Sequence, residues 1–326
     1  MSVRLSSLFI VAIISALILT GFYFYPTEKN NTPVIAITQI APHPSLDRIR
    51  QGILDELNES THKNVKVIFQ NAQGNIAIAT QIAQRFISLN PKIIIPITTP
   101  SAQTVQAAAH NKNIPIVFAA VTDPLEARLI KSDGSNLPFV TGVQDAPPYA
   151  EQIQQIQTLL NKKNVRIGII YNPGEINSLS QIKHFEEALA HKGGTILLSP
   201  ATSTINVSAA TARLTDRVDA FYLPNDNTII SSLASVLKIA DNKKVPVFSS
   251  DPESVKRGCT ASIAPDQYQI GRQVGKLTIR ILNGQRAEEI PYEKSKINSA
   301  QLNEAHIQML GLHPQLTETI KAHHEH

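Results

Sequence analysis

Cysteine is nearly absent: one residue, Cys259, stands in a chain of 326. A lone thiol excludes an intramolecular disulfide framework and any cysteine-rich zinc or iron–sulfur centre. Clustered basic charge is missing as well. The 30 Lys and Arg exceed the 26 Asp and Glu, for a formal net charge of +4 and a pI near 9.0. They are nevertheless scattered as singles and pairs such as Lys162-Lys163, Lys243-Lys244 and Lys256-Arg257, which describes a solvated surface and argues against a nucleic-acid partner. Common catalytic signatures are lacking too. The chain has no G-x-S-x-G, no G-x-x-x-x-G-K-[ST], no H-E-x-x-H and no strand-linked G-x-G-x-x-G. Cys259 follows Gly258 with no histidine beside it, so it reads as a buried structural thiol and not as a nucleophile.

What is present is an ordinary globular composition, 42% hydrophobic and 17% charged, in a chain long enough for two domains. Near the start, residues 5–25 (LSSLFIVAIISALILTGFYFY) carry no charge. As a helix they would span roughly 31 Å, the thickness of a bilayer core. Arg4 and the amino terminus precede them, which favours a cytoplasmic start and an exported remainder. No small-x-small pair stands at a cleavage distance, and Leu19-Thr20-Gly21-Phe22 puts Phe22 where a lipoprotein box carries its cysteine. The expectation is an uncleaved signal anchor over 1–26, a polar linker over 27–32 and an extracytoplasmic domain behind it. A cleaved secretory signal is the alternative. At the other end, the His-rich residues 321–326 read as a disordered tail.

From Pro33 onward, short β-branched runs alternate with longer amphipathic stretches. Strands are expected at 34–40, 65–70, 93–97, 116–120, 140–143, 166–171, 195–199, 220–223, 245–249 and 260–263. Helices are expected at 45–60, 76–89, 101–110, 150–160, 178–192, 207–217, 228–241, 266–283 and 303–310. Mostly apolar strands alternating with helices predict the α/β class with doubly wound parallel sheets covered on both faces. The alternation occurs twice, from 34 to about 143 and from about 166 to 249, and so predicts two lobes.

In such lobes, sites gather at the carboxyl ends of the strands. The polar motifs fall there: Gln39 and His43; Thr98, Thr99, Pro100 and Ser101; Thr122 and Asp123; Tyr171 followed by Asn172 to Glu175; Asn225, Asp226 and Asn227; Ser249 to Pro252. Pro100 can open a helix whose first-turn N–H groups suit an anion such as a carboxylate, although a Ser or Thr there also serves as a plain cap. Asp226 can hold an ammonium group or merely cap a helix. Glu175, with Asn177 and Ser178, is a second acidic candidate, and Asp251 before Pro252 either lines a site or starts a helix.

Several segments in order, AITQIAPHPSLDRIRQGILDEL, QNAQGNIAIATQIAQRF, TTPSAQ, PIVFAAVTDP, VTGVQD, IGIIYNPGEINS, AFYLPNDNTI, VPVFSSDPESVKRG and GRQVGKL, resemble the ABC transporter substrate-binding proteins of the tryptophan/tyrosine type. The resemblance implies a type I periplasmic-binding fold, whose two lobes are joined by three chain crossings near Asp145, Gly258 and Asn283. Lobe 1 would comprise 33–145 plus 259–283, and lobe 2 would comprise 146–258 plus 284–320. It further implies a monomer that captures an aromatic amino acid by lobe closure and delivers it to a permease with its ATPase, with no catalytic residue, cofactor or metal.

By matching motif, Thr99, Ser101 and Ala102 would meet the ligand carboxylate. Asp226, Asn227, Glu175 and Asn177 would meet its amino group or ring, and Gln39, Thr122 and Asp123 would line the cleft. His43, Tyr171, Ser178, Asn225 and Asp251 complete the candidate set. Two departures bear on specificity: Gln267 stands where relatives carry an aromatic after the second crossing, and Ile176 replaces a small residue in NPGEINS. A membrane-tethered ligand sensor with the same fold is the alternative function. An enzyme on this plan would need a perturbed acid or nucleophile in the cleft, and a repressor-type regulator would need a DNA-binding helix pair where the apolar run stands.

Overall fold

A computed structural model describes residues 32–295 and 297–312. The expected anchor at 1–26, nearly all of the linker at 27–32 and the tail at 321–326 lie outside the described residues. Among the described residues no helix is long and apolar enough to cross a membrane.

Along the chain the first elements are β1 (Val34–Gln39), α1 (Pro44–Glu59), β2 (Lys66–Asn71), α2 (Ile76–Leu89), β3 (Ile93–Ile97), α3 (Thr99–Ala108), β4 (Ile116–Val121) and β5 (Val140–Gln144). The middle of the chain forms α4 (Tyr149–Leu159), β6 (Val165–Tyr171), α5 (Ile176–Lys192), β7 (Gly194–Pro200), α6 (Val207–Thr215), β8 (Ala220–Leu223), α7 (Asn227–Ser231), α8 (Leu233–Asn242) and β9 (Val247–Ser249). The last elements are α9 (Glu253–Lys256), β10 (Ala261–Pro265), α10 (Gln267–Leu282), β11 (Glu293–Lys294), β12 (Ile297–Leu302) and α11 (Glu304–Met309).

The strands form two six-stranded sheets, ordered β11-β5-β4-β3-β1-β2 and β12-β10-β9-β8-β6-β7. Every pairing in the first sheet is parallel, and in the second only β12 runs antiparallel, against β10. Strands β3 and β4 are buried along their whole length, as their unbroken apolar runs require when helices cover both faces.

Helix α2 shows how local signals set an element. Its buried Ala79, Ile82, Ala83 and Phe86 recur at helical spacing and make one stripe toward the core. The Asn75 side chain caps the amides of Ala77 and Ile78, and Asn90 ends the helix in the left-handed conformation. Burying Phe86 alone is worth about 1.5–3 kcal/mol.

Helix α10 returns the chain to the first lobe and crosses α1 at closest backbone approach. A Cβ on Gly52 would collide with the Tyr268 carbonyl oxygen, and one on Gly271 with that of Ile49. The two glycines therefore allow a helix contact that no side chain would.

Two expected lobe boundaries are corrected. Residues 261–265, assigned by sequence to the first lobe, form β10 between β9 and β12 of the second sheet, so the second crossing lies at Asp266 and not near Gly258. Residues 284–294, assigned to the second lobe, belong to the first: β11 extends its sheet beside β5, and Ala287 and Ile290 enter its core. The third crossing therefore follows Lys294. A strand's sheet is decided by pairing partners, which the periodicity of a single run does not encode. The helix expected over 228–241 is likewise broken at Ser232 into α7 and α8.

Candidate functional site

A narrow cavity of about 40 Å³ lies where the strand ends of the two sheets face each other. The first lobe contributes His43, Ser45 and Leu46 from the start of α1, Thr98 and Thr99 from the start of α3, Ala120 and Thr122 from the end of β4, and Asp145 after β5. The second contributes Asn177, Asn225, Asp226, Asn227, Ile230 and Asp251, and Gln267 enters from the second crossing. A larger space of about 690 Å³ opens outside it, between Ile40 to Pro42 and Ile76 on one side and Asn172, Glu175 and Thr202 to Thr204 on the other. Asn227 borders both.

The first lobe's wall is backbone held in sparsely populated conformations. Thr98 has φ +80° and ψ 160°, a region otherwise left almost to glycine, and Ala120 has φ +52°. The Thr98 amide donates to the Ala119 carbonyl, and the Ala102 amide donates to the Thr98 carbonyl as the first bond of α3. The amides of Thr99 and Ser101 precede that bond, and Pro100 has none, so this helix end offers N–H donors. The buried hydroxyls of Thr98 and Ser101 have no hydrogen-bond partner among the described residues. Ala102, expected to meet a ligand carboxylate, spends its amide inside the helix.

The second lobe's wall is a side-chain network. Glu175 Oε1 accepts from the Thr228 amide (3.0 Å) and hydroxyl (2.8 Å). Its Oε2 accepts from the Asn227 amide (2.9 Å), the Asn227 side chain (2.6 Å) and the Asn177 side chain (3.1 Å). Asp226 caps α7 through the Ile229 amide (3.0 Å) and takes the Asn172 amide on its other oxygen (2.6 Å). Burial, reinforced by the nearby Glu175, pushes the Asp226 carboxyl well above its usual range. These two acids were the sequence candidates for an ammonium group, yet every oxygen they own is engaged within their own lobe.

Three side-chain hydrogen bonds join the lobes across the cleft, beside an exposed Lys183–Glu126 ion pair at 4.0 Å. Ser45 Oγ donates to Asp251, whose other oxygen takes the Ser254 hydroxyl. Asn225 Nδ2 donates to Asp145 Oδ2 at 3.1 Å. Ser180 Oγ donates to Asp123 at 3.3 Å. Asp145 also accepts from Gln267 Nε2 at 3.4 Å on the same oxygen, while its Oδ1 is buried with no partner among the described residues. The His43 Nδ1 is buried and unpartnered as well. Burial holds this imidazole below its usual value against the opposing pull of Asp251, which keeps the ring neutral.

Of the sequence candidates, His43, Thr99, Thr122, Asn177, Asn225, Asp226, Asn227 and Asp251 come together around the inner cavity. Ser101, Ala102 and Ser178 are buried behind it. Gln39 turns its amide to the Ala41 carbonyl and Asp47. Asp123 caps the turn at Leu125 and Glu126 on the rim, Glu175 borders the outer space, and the half-buried Tyr171 packs against the second lobe's core. Thr98, one of the strand-end motif residues, lines the cavity too, whereas sequence reasoning missed Ser45, Leu46, Ala120, Asp145 and Ile230 as cavity residues. Asp145 follows the expected strand 140–143 by two positions, so the strand-end rule that selected the others reaches it too.

Residues 34–324 match the family model of the ABC transporter substrate binding protein. The chain is 33% identical over 303 residues, 90% of its length, to the tyrosine-binding protein of Clostridioides difficile strain R20291, of which 86% is covered. It superposes with a TM-score of 0.84 and 30% identity on an ABC domain from Streptococcus pneumonia in complex with L-Trp, covering 88% of this chain and 98% of that one. A ligand-free, open substrate-binding protein with adhesive properties from Clostridium difficile gives 0.66 at the same 30% identity, covering 86% and 95%. At equal identity the fit is closer to the complex than to the open form, in keeping with the hydrogen bonds that join the lobes here. A periplasmic-binding fold, a cleft between its lobes and a family match over nearly the whole chain agree: the protein belongs to the ABC transporter substrate-binding protein family.

Proposed function

We propose that this protein is the extracytoplasmic receptor of an ABC importer, capturing an aromatic amino acid between its lobes and handing it to a permease with its ATPase. It binds without turning its ligand over and works as a monomer. The observation that carries the reading is the start of α3, where the cavity-lining Thr98 hydroxyl and the Thr99 amide are unspent donors for a carboxylate. Leu46, Ala120 and Ile230 supply apolar wall for the side chain. The named ligands of the two relatives, tyrosine and tryptophan, support the class.

Because both lobes line one cavity, a ligand touching both gains affinity only when they close, and that difference drives closure. The uncharged run at 5–25 supports a tether to the membrane, with the folded part outside the cytoplasm, and also the second reading, a tethered sensor of the same ligand. The mass of the exported chain decides whether that run is retained.

The test is thermal unfolding of the full chain, freed of co-purified ligand, against amino acids, nucleosides and sugars. A ligand bound only by the folded state raises Tm. The expected result is a selective rise with tryptophan, tyrosine or phenylalanine. A response confined to sugars or nucleosides overturns the ligand class.

A further inference from the structure

We infer that Asp145 is the counter-ion of the ligand's ammonium group and the residue that makes the cleft select amines, an assignment that rests on the amino-acid reading above. Asp145 is 3% exposed and lines the inner cavity. Its Oδ2 is fixed from both sides, by Asn225 of the second lobe and Gln267 at the crossing, and its Oδ1 is left without a donor. Among the described residues no Lys, Arg or His is paired with it, and no cation enters its electrostatic surroundings. A buried carboxylate without a cation is expensive to keep ionised, and a protonated amine entering the cavity supplies the missing charge.

The other acids around the cleft are already committed. Glu175 and Asp226 satisfy the α7 loop, and Asp251 holds the hydroxyls of Ser45 and Ser254. Asp145 alone among them keeps an unclaimed oxygen at the cavity. Without ligand its carboxyl is pushed up to about 7 by burial, with Asp251 adding to the shift and the Gln267 hydrogen bond opposing it. The other titratable groups facing it, Tyr149 and Tyr222, are held neutral by burial, and His43 across the cavity is neutral too. An ammonium group arriving beside Asp145 draws its proton off, so binding releases a proton near neutral pH.

The experiment uses the full chain and two probe pairs: L-tryptophan with indole-3-propionate, and L-tyrosine with 3-(4-hydroxyphenyl)propionate, each acid lacking only the amine. The chain contains no tryptophan, so indole emission reports the bound probe directly. Wild type is expected to prefer the amino acid by about a hundredfold, and Asp145→Asn to shrink that preference to within about fivefold by weakening the amino acid. Calorimetry of wild type at pH 7 in two buffers of different ionisation heat is expected to show proton release. This readout stands even where the variant folds poorly. Amino-acid binding with the preference intact in Asp145→Asn, or with no proton released by wild type, overturns the role of Asp145 and leaves the amino-acid reading standing. Failure of both amino acids to bind wild type overturns that reading and this assignment together.

Discussion

The two lobes build their halves of the cleft by opposite means. The first presents main chain: Thr98 and Ala120 sit at positive φ, and the α3 terminus leaves donors unspent. The second presents side chains that largely satisfy one another, with Glu175 alone taking five hydrogen bonds from Asn177, Asn227 and Thr228, while Asn177 Oδ1 is left without a partner among the described residues. One wall therefore keeps its hydrogen-bonding capacity for something absent, and the other uses its capacity to hold a shape. Acidity in a cleft is thus a poor guide to what binds there, because a carboxylate's usefulness depends on how many of its lone pairs are free.

The largest expected effect separates the acids by pH. A carboxyl raised from 3.8 to about 7 binds its proton more tightly folded than unfolded, so the stability it contributes is full below pH 3.8 and is lost as pH rises to about 7. For Asp145 this amounts to roughly 4 kcal/mol across the window. Urea unfolding between pH 4 and pH 7 is expected to show that slope diminished in Asp145→Asn. Saturating amino acid is expected to remove the Asp145 share only, since both oxygens of the raised Asp226 are held by amides of its own lobe, and Asp226 loses its stabilisation over the same direction of pH.

Next comes the network itself. Glu175→Ala leaves the buried donors of Asn177 and Asn227 without their acceptor, and is expected to lower unfolding free energy by about 3 kcal/mol. The ratio of affinities for tryptophan and indole-3-propionate is expected to stay as in wild type. A collapse of that ratio would return Glu175 to the ligand and erase the contrast between the walls.

The smallest effect tests the strained wall. Thr98→Gly relieves a conformation that costs a threonine about 1–3 kcal/mol, and removes a hydroxyl from the cavity. Chemical denaturation is expected to show a gain of about 1 kcal/mol, against a roughly tenfold loss in amino-acid affinity by fluorescence titration. Equal losses in both would mean that Thr98 is simply a packing residue.

Much of this was legible beforehand. The runs at 93–97 and 116–120 are apolar throughout, and a strand buried on both faces leaves that mark. The polar edge strand β12 leaves none, and β10 reads as a strand without revealing its neighbours. In the site, strand-end position found Thr99, Asn177 and Asn227 because topology alone brings those ends together. It could not rank the acids, because whether Asp226 or Asp145 has a free oxygen depends on amides distant in sequence, such as that of Asn172. Nor does a Thr between Ile97 and Thr99 announce a positive φ, since nothing local distinguishes it from an ordinary strand end.

The crossings carry one more consequence. The chain leaves the first sheet at Asp145, and the Ser295 amide beside the third crossing donates to the Gln144 carbonyl, while Gln267 at the second bonds Asp145 itself. All three strands of the joint therefore run side by side, and a rigid lobe turning about them sweeps its far rim through a long arc and its hinge through almost none. Asp145 sits at the pivot. On the proposed closure its carboxylate would hold nearly the same place throughout, a stationary landmark for the proposed amine while the remaining contacts swing in.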